Sequence, residues 1–306
     1  MAGLVIPGKL AASVVAWEGD SGRRWLAALP RLVAEVAEAW DLEIGPPLEP
    51  GGNISWVAPA RRRSDGRDAV LKMQHPHPES EPEALGLAAW AGRGAVLLLA
   101  HDAERRALLL ERCEPGSALL DERGTLEAVR TGAALGARLH AVAPPAGLPA
   151  LAVVLDGWAD TLEGQLERTR VIDPALGALA LDVMRRRPRA CREPGLLHGD
   201  LNPTNLLAAR REPWLAIDPK PMLGDPAYDG PRLVLQPDPL ASPDPEATFA
   251  ARVDVVAGEM GLDRDVLLAW CLVNAVEMGA GASSRGDRAR AERCAAQLSL
   301  IARHLP

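Results

Sequence analysis

Leu196-Leu197-His198-Gly199-Asp200-Leu201-Asn202-Pro203-Thr204-Asn205, with Trp214-Leu215-Ala216-Ile217-Asp218 just after it, is the most informative stretch of the chain. An aspartate stands five residues ahead of an asparagine, and a second aspartate closes a short apolar strand. Phosphoryl transfer needs an oriented hydroxyl nucleophile, neutralised charge and in-line geometry, and little covalent chemistry from the protein. In such a reaction Asp200 would accept the hydroxyl proton. Asn205 and Asp218 would offer hard oxygen ligands to Mg²⁺, which keeps waters and phosphate oxygens in its shell. A loop from Asp200 to Asn205 can set base and ligand on opposite sides of a phosphate, which a regular helix would not do.

Working outward, the chain places strands with one helix first and mostly helices later, which is an α+β, two-part layout. Apolar residues at helical spacing from Trp25 to Trp40 predict an amphipathic helix. The turn Pro50-Gly51-Gly52-Asn53 leads into Ile54–Val57, and a polar loop, Arg61 to Asp68, separates that run from Ala69–Met73 as in a β-hairpin. A helix is expected over Glu79–Trp90, with Pro82 tolerated only near its start. Val96–Leu99 and Ala107–Glu111 read as strands, and Cys113-Glu114-Pro115-Gly116-Ser117 as the break between a lobe of residues 1–112 and one of residues 113–306. Beyond it the helical period covers Leu126–Ala143, Trp158–Thr169, Ala175–Arg185, Asp263–Gly279 and Arg288–His304. Pro237–Pro245 reads as a surface loop.

His198-Gly199-Asp200-Leu201 with Asn205 resembles the catalytic loop of the aminoglycoside phosphotransferase superfamily, a relative of the protein-kinase HRDLxxxN set. Ile217-Asp218-Pro219-Lys220 stands where protein kinases carry DFG; without the Phe-Gly, regulation by a flipping Phe is not implied. Leu223–Asp229, Gly51-Gly52-Asn53 and Leu108–Arg112 narrow the resemblance, along nearly the whole chain, to the streptomycin 6-phosphotransferase and hydroxyurea phosphotransferase family of antibiotic-resistance kinases. It implies a protein-kinase-like fold with a small β-rich N-terminal lobe and a larger, mainly helical C-terminal one. It also implies ATP with Mg²⁺, and phosphorylation of streptomycin at position 6. The alternative is hydroxyurea or another small-molecule acceptor. A third reading, a non-catalytic binding module, would be marked by loss of Lys72, Asp200 or Asp218, and all three are present.

Such a site demands a lysine on an upstream strand and an acid on the next helix. Lys72 closes Ala69-Val70-Leu71 and is the candidate for the α- and β-phosphates, with Glu83, or failing it Glu81, as partner. Gly51, Gly52, Asn53 and Ser55 would cover the nucleotide, small residues letting backbone N–H groups approach phosphate. Backbone near Glu111 to Cys113 would meet the adenine edge. His198 is expected to orient the loop rather than act as base. Asp229 stands open between a structural and an acceptor role, and Asp225, Glu277, Arg138 and His140 are further acceptor candidates. Asp238, Asp244 and Glu259 complete the acids weighed for guanidinium binding.

Composition sets the bounds. The net charge of −7 argues against nucleic acid, whose phosphates attract Lys and Arg, and suits a cationic substrate. Lysine is confined to Lys9, Lys72 and Lys220. Cys113, Cys191, Cys271 and Cys294 form no CxxC pair and read as buried free thiols; His75 and His77 share a Pro-rich loop with little promise as a metal site. Met1–Val14 has no sustained apolar signal region, and apolar runs such as Ala95–Ala100 are too short to span a bilayer. A cytoplasmic monomer without membrane contact is the expectation.

Overall fold

The computed structural model describes residues 3–49, 51–122 and 125–306. Pro50 of the expected turn, and Met1 and Ala2 of the N-terminal stretch, lie outside the described residues. The N-terminal part holds helix α1 (Gly8–Ala39), strands β1 (Leu42–Ile44), β2 (Ser55–Arg62) and β3 (Asp68–Gln74), helix α2 (Glu83–Trp90), and strands β4 (Leu98–Asp102) and β5 (Ala107–Glu111). The strands form one antiparallel five-stranded sheet in the order β1-β2-β3-β5-β4. The β2–β3 hairpin is the expected one, with longer strands. Helix α1 is longer too, starting at Gly8 and kinking at Gly19, whose φ of 54° only glycine adopts readily.

Alternation in β3 fixes the direction of Lys72. Ala69, Leu71 and Met73 are buried in a core with Leu10, Leu29 and Val33 of α1 and Trp56 of β2. Because successive strand residues face opposite ways, Lys72 lies on the other face, opposite Val57 and Leu108. Val96 does not join β4. Its N–H donates to Ala216 O and Gly94 O accepts from Ala216 N–H, so these residues are used in tying the two parts together and the strand starts at Leu98.

The C-terminal part contains α3 (Leu126–His140), α4 (Leu151–Leu166), α5 (Pro174–Ala190), β6 (Gly195–Leu197), β7 (Leu206–Ala208), β8 (Trp214–Ala216), β9 (Met222–Gly224), α6 (Pro231–Leu235), α7 (Pro245–Met260), α8 (Arg264–Ser284) and α9 (Arg288–Ala302). β6 pairs with β9 and β7 with β8, and these two small ribbons carry the informative motif. The result is a two-lobed, kinase-like fold with a second core that also takes in Leu87 and Trp90 of α2 and Leu108 and Leu110 of β5.

Four expectations need correction. Helix α7 occupies residues that the helical period leaves unassigned. Asp244 caps it by accepting from Ala247 N–H, Pro245 sits in its first turn, and Gly261 ends it in the left-handed conformation at φ 65°. Ahead of it, Pro237–Pro245 is only partly a surface loop, since Pro239 is buried and Asp238 accepts from Gln297. Helix α8 is long and apolar enough to cross a bilayer by composition, but 67% of its most apolar window is buried in the protein. Of the free cysteines Cys271 and Cys294 are buried, whereas Cys113 and Cys191 are half-buried.

Phe249, the single phenylalanine, is fully buried on α7 and packs against the His304 ring at 5.1 Å. Replacing it with Ala should cost about 3–5 kcal/mol by urea denaturation. A loss under about 1 kcal/mol would mean that α7 is not part of the core.

Candidate active site

Lys72 is 5% exposed and its Nζ lies 2.6 Å and 2.8 Å from the two Glu83 carboxylate oxygens and 2.5 Å from Asp218 Oδ1. Gln74 Nε2 donates to Glu83 as well, at 2.6 Å. Burial alone would lower the lysine pKa, but Asp218 and Glu83 outweigh it and the net shift is upward, so the ammonium stays charged. Helix α2 begins one residue after Pro82, which puts Glu83 in its first turn facing the sheet. Glu81 falls ahead of the helix, is largely exposed and pairs with Arg106 instead. Glu83 is therefore the partner.

The loop after β6 is held from below. His198 is fully buried; its Nε2 meets Ile217 O at 3.1 Å, and its Nδ1 accepts the Asp200 N–H at 3.3 Å. Burial lowers its pKa, and a neutral ring donating at Nε2 and accepting at Nδ1 satisfies both contacts. Asp229 accepts from the N–H groups of His198 (2.7 Å) and Gly199 (2.8 Å) and from His140 Nε2 (2.9 Å). Burial pushes against its charge, but the bonds from His140 and the backbone prevail and hold its carboxyl below the usual range. Gly199 has φ 77°, and a Cβ there would sit 2.1 Å from Lys220 O, so no other residue fits.

Asp200 emerges from this frame with a carboxylate mostly covered. Arg232 approaches Oδ1 at 3.0 Å and Lys220 approaches Oδ2 at 3.8 Å. Asn202 Nδ2 donates to Oδ1 at 3.0 Å, a contact that sequence spacing did not single out. Asn205 Nδ2 donates to Asp200 O at 3.0 Å, which leaves its Oδ1 as the atom to meet a cation. Ile217 N–H donates to Asn205 O at 2.9 Å, which ties the Asp218 segment to the same loop. Asp218 is half-exposed and has φ 54°, a left-handed conformation that a non-glycine residue holds at a cost. The Lys72 ammonium beside it holds its carboxyl below the usual range. An amide oxygen and a carboxylate on linked segments fit a hard divalent ion that takes its other ligands from phosphate and water. Among the described residues, no cluster of three or more His, Cys, Asp or Glu could hold a metal ion.

Gly51 has φ 78° and its carbonyl accepts from Lys9 at 3.4 Å; Asn53 is exposed, and Ser55 is buried opposite Gln74. Glu111 N–H donates to Leu97 O, and its carboxylate accepts from Leu97 N–H and from Arg211 at 2.9 Å. Its side chain thus clamps the connection between the lobes. Cys113 follows, its thiol pushed up to about 11 by burial.

A cavity of about 320 Å³ opens beside Asp200, lined among others by Glu79, Trp158, Lys220, Arg232, Asn274 and Glu277. Asp200, Asp229 and Glu277 meet at it as candidates did in sequence; the other acceptor candidates do not. Asp225 is buried between Arg187 and Trp270 Nε1, each at 3.1 Å, and caps a short turn. Arg138 pairs with Glu212 at 2.6 Å, and His140 is spent on Asp229. Asp238 accepts from Gln297, Asp244 caps α7 and Glu259 pairs with Arg130. Glu79, Trp158, Lys220, Arg232 and Asn274 were not singled out, since no spacing rule links residues from α4, α6, α8 and two loops.

Fold and site together define a kinase-like phosphotransferase that uses a nucleotide substrate. The chain belongs to the aminoglycoside/hydroxyurea antibiotic resistance kinase family, which matches residues 44–286. It is similar to the streptomycin 6-kinase of Streptomyces griseus, at 35% identity over 89% of both chains. It is also similar to the hydroxyurea phosphotransferase of Kitasatospora aureofaciens, at 39% identity over 89% of this chain and 78% of that one. Among solved structures, the choline kinase LicA of Streptococcus pneumoniae matches with a TM-score of 0.60 at 15% identity, covering 89% of this chain and 99% of that one.

The lowered pKa of Asp229 makes a testable demand. Its charged form stabilises the fold above the ordinary carboxylate range, near pH 4, and that contribution is lost as pH falls through its depressed folded pKa. Asp229→Asn should lower the urea midpoint at neutral pH and flatten the acid limb of the stability curve. An unchanged acid limb would show that Asp229 is not the ionised anchor.

Proposed function

We propose that the chain transfers the γ-phosphoryl group of ATP to the hydroxyl at position 6 of streptomycin, inactivating the drug. The observation that carries this reading is Glu277. Glu79, Asp200 and Asp229 in the cavity each have a hydrogen-bonded or ion-paired partner, whereas no side chain among the described residues lies within hydrogen-bonding distance of the Glu277 carboxylate. A half-buried carboxylate in a cavity beside the base suits a cationic acceptor, and a guanidinium offers it two parallel hydrogen bonds.

In the reaction Asp200 takes the proton of the acceptor hydroxyl, whose oxygen bonds to the γ-phosphorus as the bridge to ADP breaks and ADP keeps the electron pair. Lys72, fixed by Glu83, meets the α- and β-phosphates. Asn205 and Asp218 would hold Mg²⁺, which supplies charge neutralisation at the phosphate oxygens. Gly51 to Ser55 would cover the phosphates, and backbone from Glu111 to Cys113 would receive adenine. On this reading residues 1–112 form the nucleotide lobe and residues 113–306 the acceptor lobe of a cytoplasmic monomer that needs neither nucleic acid nor membrane. Hydroxyurea as acceptor remains the second reading, favoured by the similarity to its phosphotransferase. The cavity, within the size range of drug-sized ligand sites, speaks for the larger molecule.

Coupled ATP consumption with Mg²⁺ should rise with streptomycin and not with hydroxyurea, and Asp200→Ala should abolish it while ATP still binds. Hydroxyurea-dependent turnover alone would replace the substrate, and full activity of Asp200→Ala would remove the base. Glu277→Gln should raise the streptomycin KM roughly 30-fold, the range for truncating one partner of a desolvated charge pair. Burial pushes the Glu277 carboxyl up to about 7, so the wild-type fold is favoured at low pH and loses that advantage as pH rises through neutrality. The Gln variant should therefore gain Tm relative to wild type at alkaline pH and not at acid pH. An equal effect at both would show that the carboxyl titrates normally.

A further inference from the structure

Lys220 lines the cavity that opens beside Asp200. Its N–H donates to His198 O at 2.7 Å, one peptide ahead of Gly199, where a Cβ would strike its carbonyl. That close backbone contact fixes Lys220 in register with Asp200. The ammonium lies 3.8 Å from Asp200 Oδ2 and 3.2 Å from Glu79 Oε2, and within electrostatic range of Asp218 two residues earlier. It thus joins the Asp200 carboxylate to the segment that carries Asp218.

The other cations near the site are placed differently. Lys72 is enclosed by Glu83 and Asp218 on the sheet side. Arg232 comes from α6 and is paired directly with Asp200 Oδ1 at 3.0 Å. In a chain that otherwise relies on arginine, Lys220 is one of three lysines. An ammonium is a compact point charge with rotatable donors, suited to follow a phosphoryl group as its oxygens move from one bridge to the other.

We propose that Lys220 is a catalytic residue whose ammonium binds an equatorial oxygen of the γ-phosphoryl in flight between ADP and the acceptor. This rests on the kinase reading above but not on the identity of the acceptor. The acceptor oxygen–phosphorus bond forms, the bridge to ADP breaks, the hydroxyl proton goes to Asp200 and Lys220 keeps its protons throughout. Charge spread over the equatorial oxygens in the transition state makes the contact stronger there than in the ground state, so it acts on kcat.

The test compares wild type with Lys220→Met, Lys220→Arg and Glu79→Gln, reading ATP turnover with streptomycin, slow ATP hydrolysis to water, ADP affinity by calorimetry, and Tm. Lys220→Met should lower kcat about 100-fold for both acceptors with ADP affinity and Tm little changed, as for loss of a transition-state donor. Lys220→Arg should recover part of the rate, and Glu79→Gln should cost far less than Lys220→Met. Near-wild-type hydrolysis by Lys220→Met would overturn the proposal, as would an equal loss in Glu79→Gln, which would reduce Lys220 to a partner for that acid. Should Lys220→Met not fold, an Arg variant that folds at wild-type Tm and turns over at the full rate with a raised acceptor KM would overturn it too. A wild-type chain that hydrolyses ATP without using streptomycin would refute the substrate alone, and the water reaction would still judge Lys220.

Discussion

A carboxylate removed from water is tolerated only when hydrogen bonds replace its hydration, and Asp229 meets that condition with two backbone N–H groups and a histidine. The consequence is a fixed path for the backbone at His198 and Gly199. His198 then closes on Ile217 O and stacks on Trp90, with ring centroids 6.1 Å apart, so the loop, the strand before Asp218 and helix α2 of the other lobe are joined through one buried ring. Asp200 takes its position from these contacts rather than from its own side chain. The chain thus keeps the Asp200 carboxylate at the cavity, its backbone anchored through the buried Asp229.

The second organising contact is the triad of Lys72, Glu83 and Asp218. A lysine with two carboxylates within 2.8 Å forms a bridge between β3, α2 and the C-terminal lobe. Because burying an unpaired charge costs several kcal/mol, loss of one member leaves the others uncompensated, and the sheet, helix and loop are coupled through it. Asp218 differs from Glu83 in being half-exposed. It can exchange its contact with Lys72 for a ligand, whereas Glu83, also held by Gln74, cannot do so without leaving a buried acceptor unpaired.

Much of this was legible in sequence, and the boundary is physical. Asp200, Asn205 and Asp218 lie on short ribbons and a tight loop, where spacing fixes geometry, so their motif could be read directly. Lys72 followed from the need for a lysine closing an upstream strand, in a chain with only three lysines. Glu83 against Glu81 depended on where Pro82 lets α2 begin, a boundary that a proline narrows without fixing. Helix α7 had its signals in Asp244-Pro245 and Gly261, but its apolar face of Phe249, Val253, Val256 and Met260 follows a Pro-rich run that reads as loop. The cavity beside Asp200 was not legible, because Trp158, Arg232 and Glu277 come together only when α4, α6 and α8 pack. For the same reason Asp225 looked available in sequence, whereas tertiary structure uses it against Arg187 and Trp270.

The central claim is that this site places a phosphoryl group on one hydroxyl of a guanidinium-bearing acceptor. The most direct measurement is the ¹H–³¹P correlation spectrum of streptomycin after incubation with the chain, ATP and Mg²⁺. The account predicts a single phosphate ester whose phosphorus couples to the ring proton at position 6. Unmodified streptomycin, or phosphorus coupled to a proton at any other position, would contradict it.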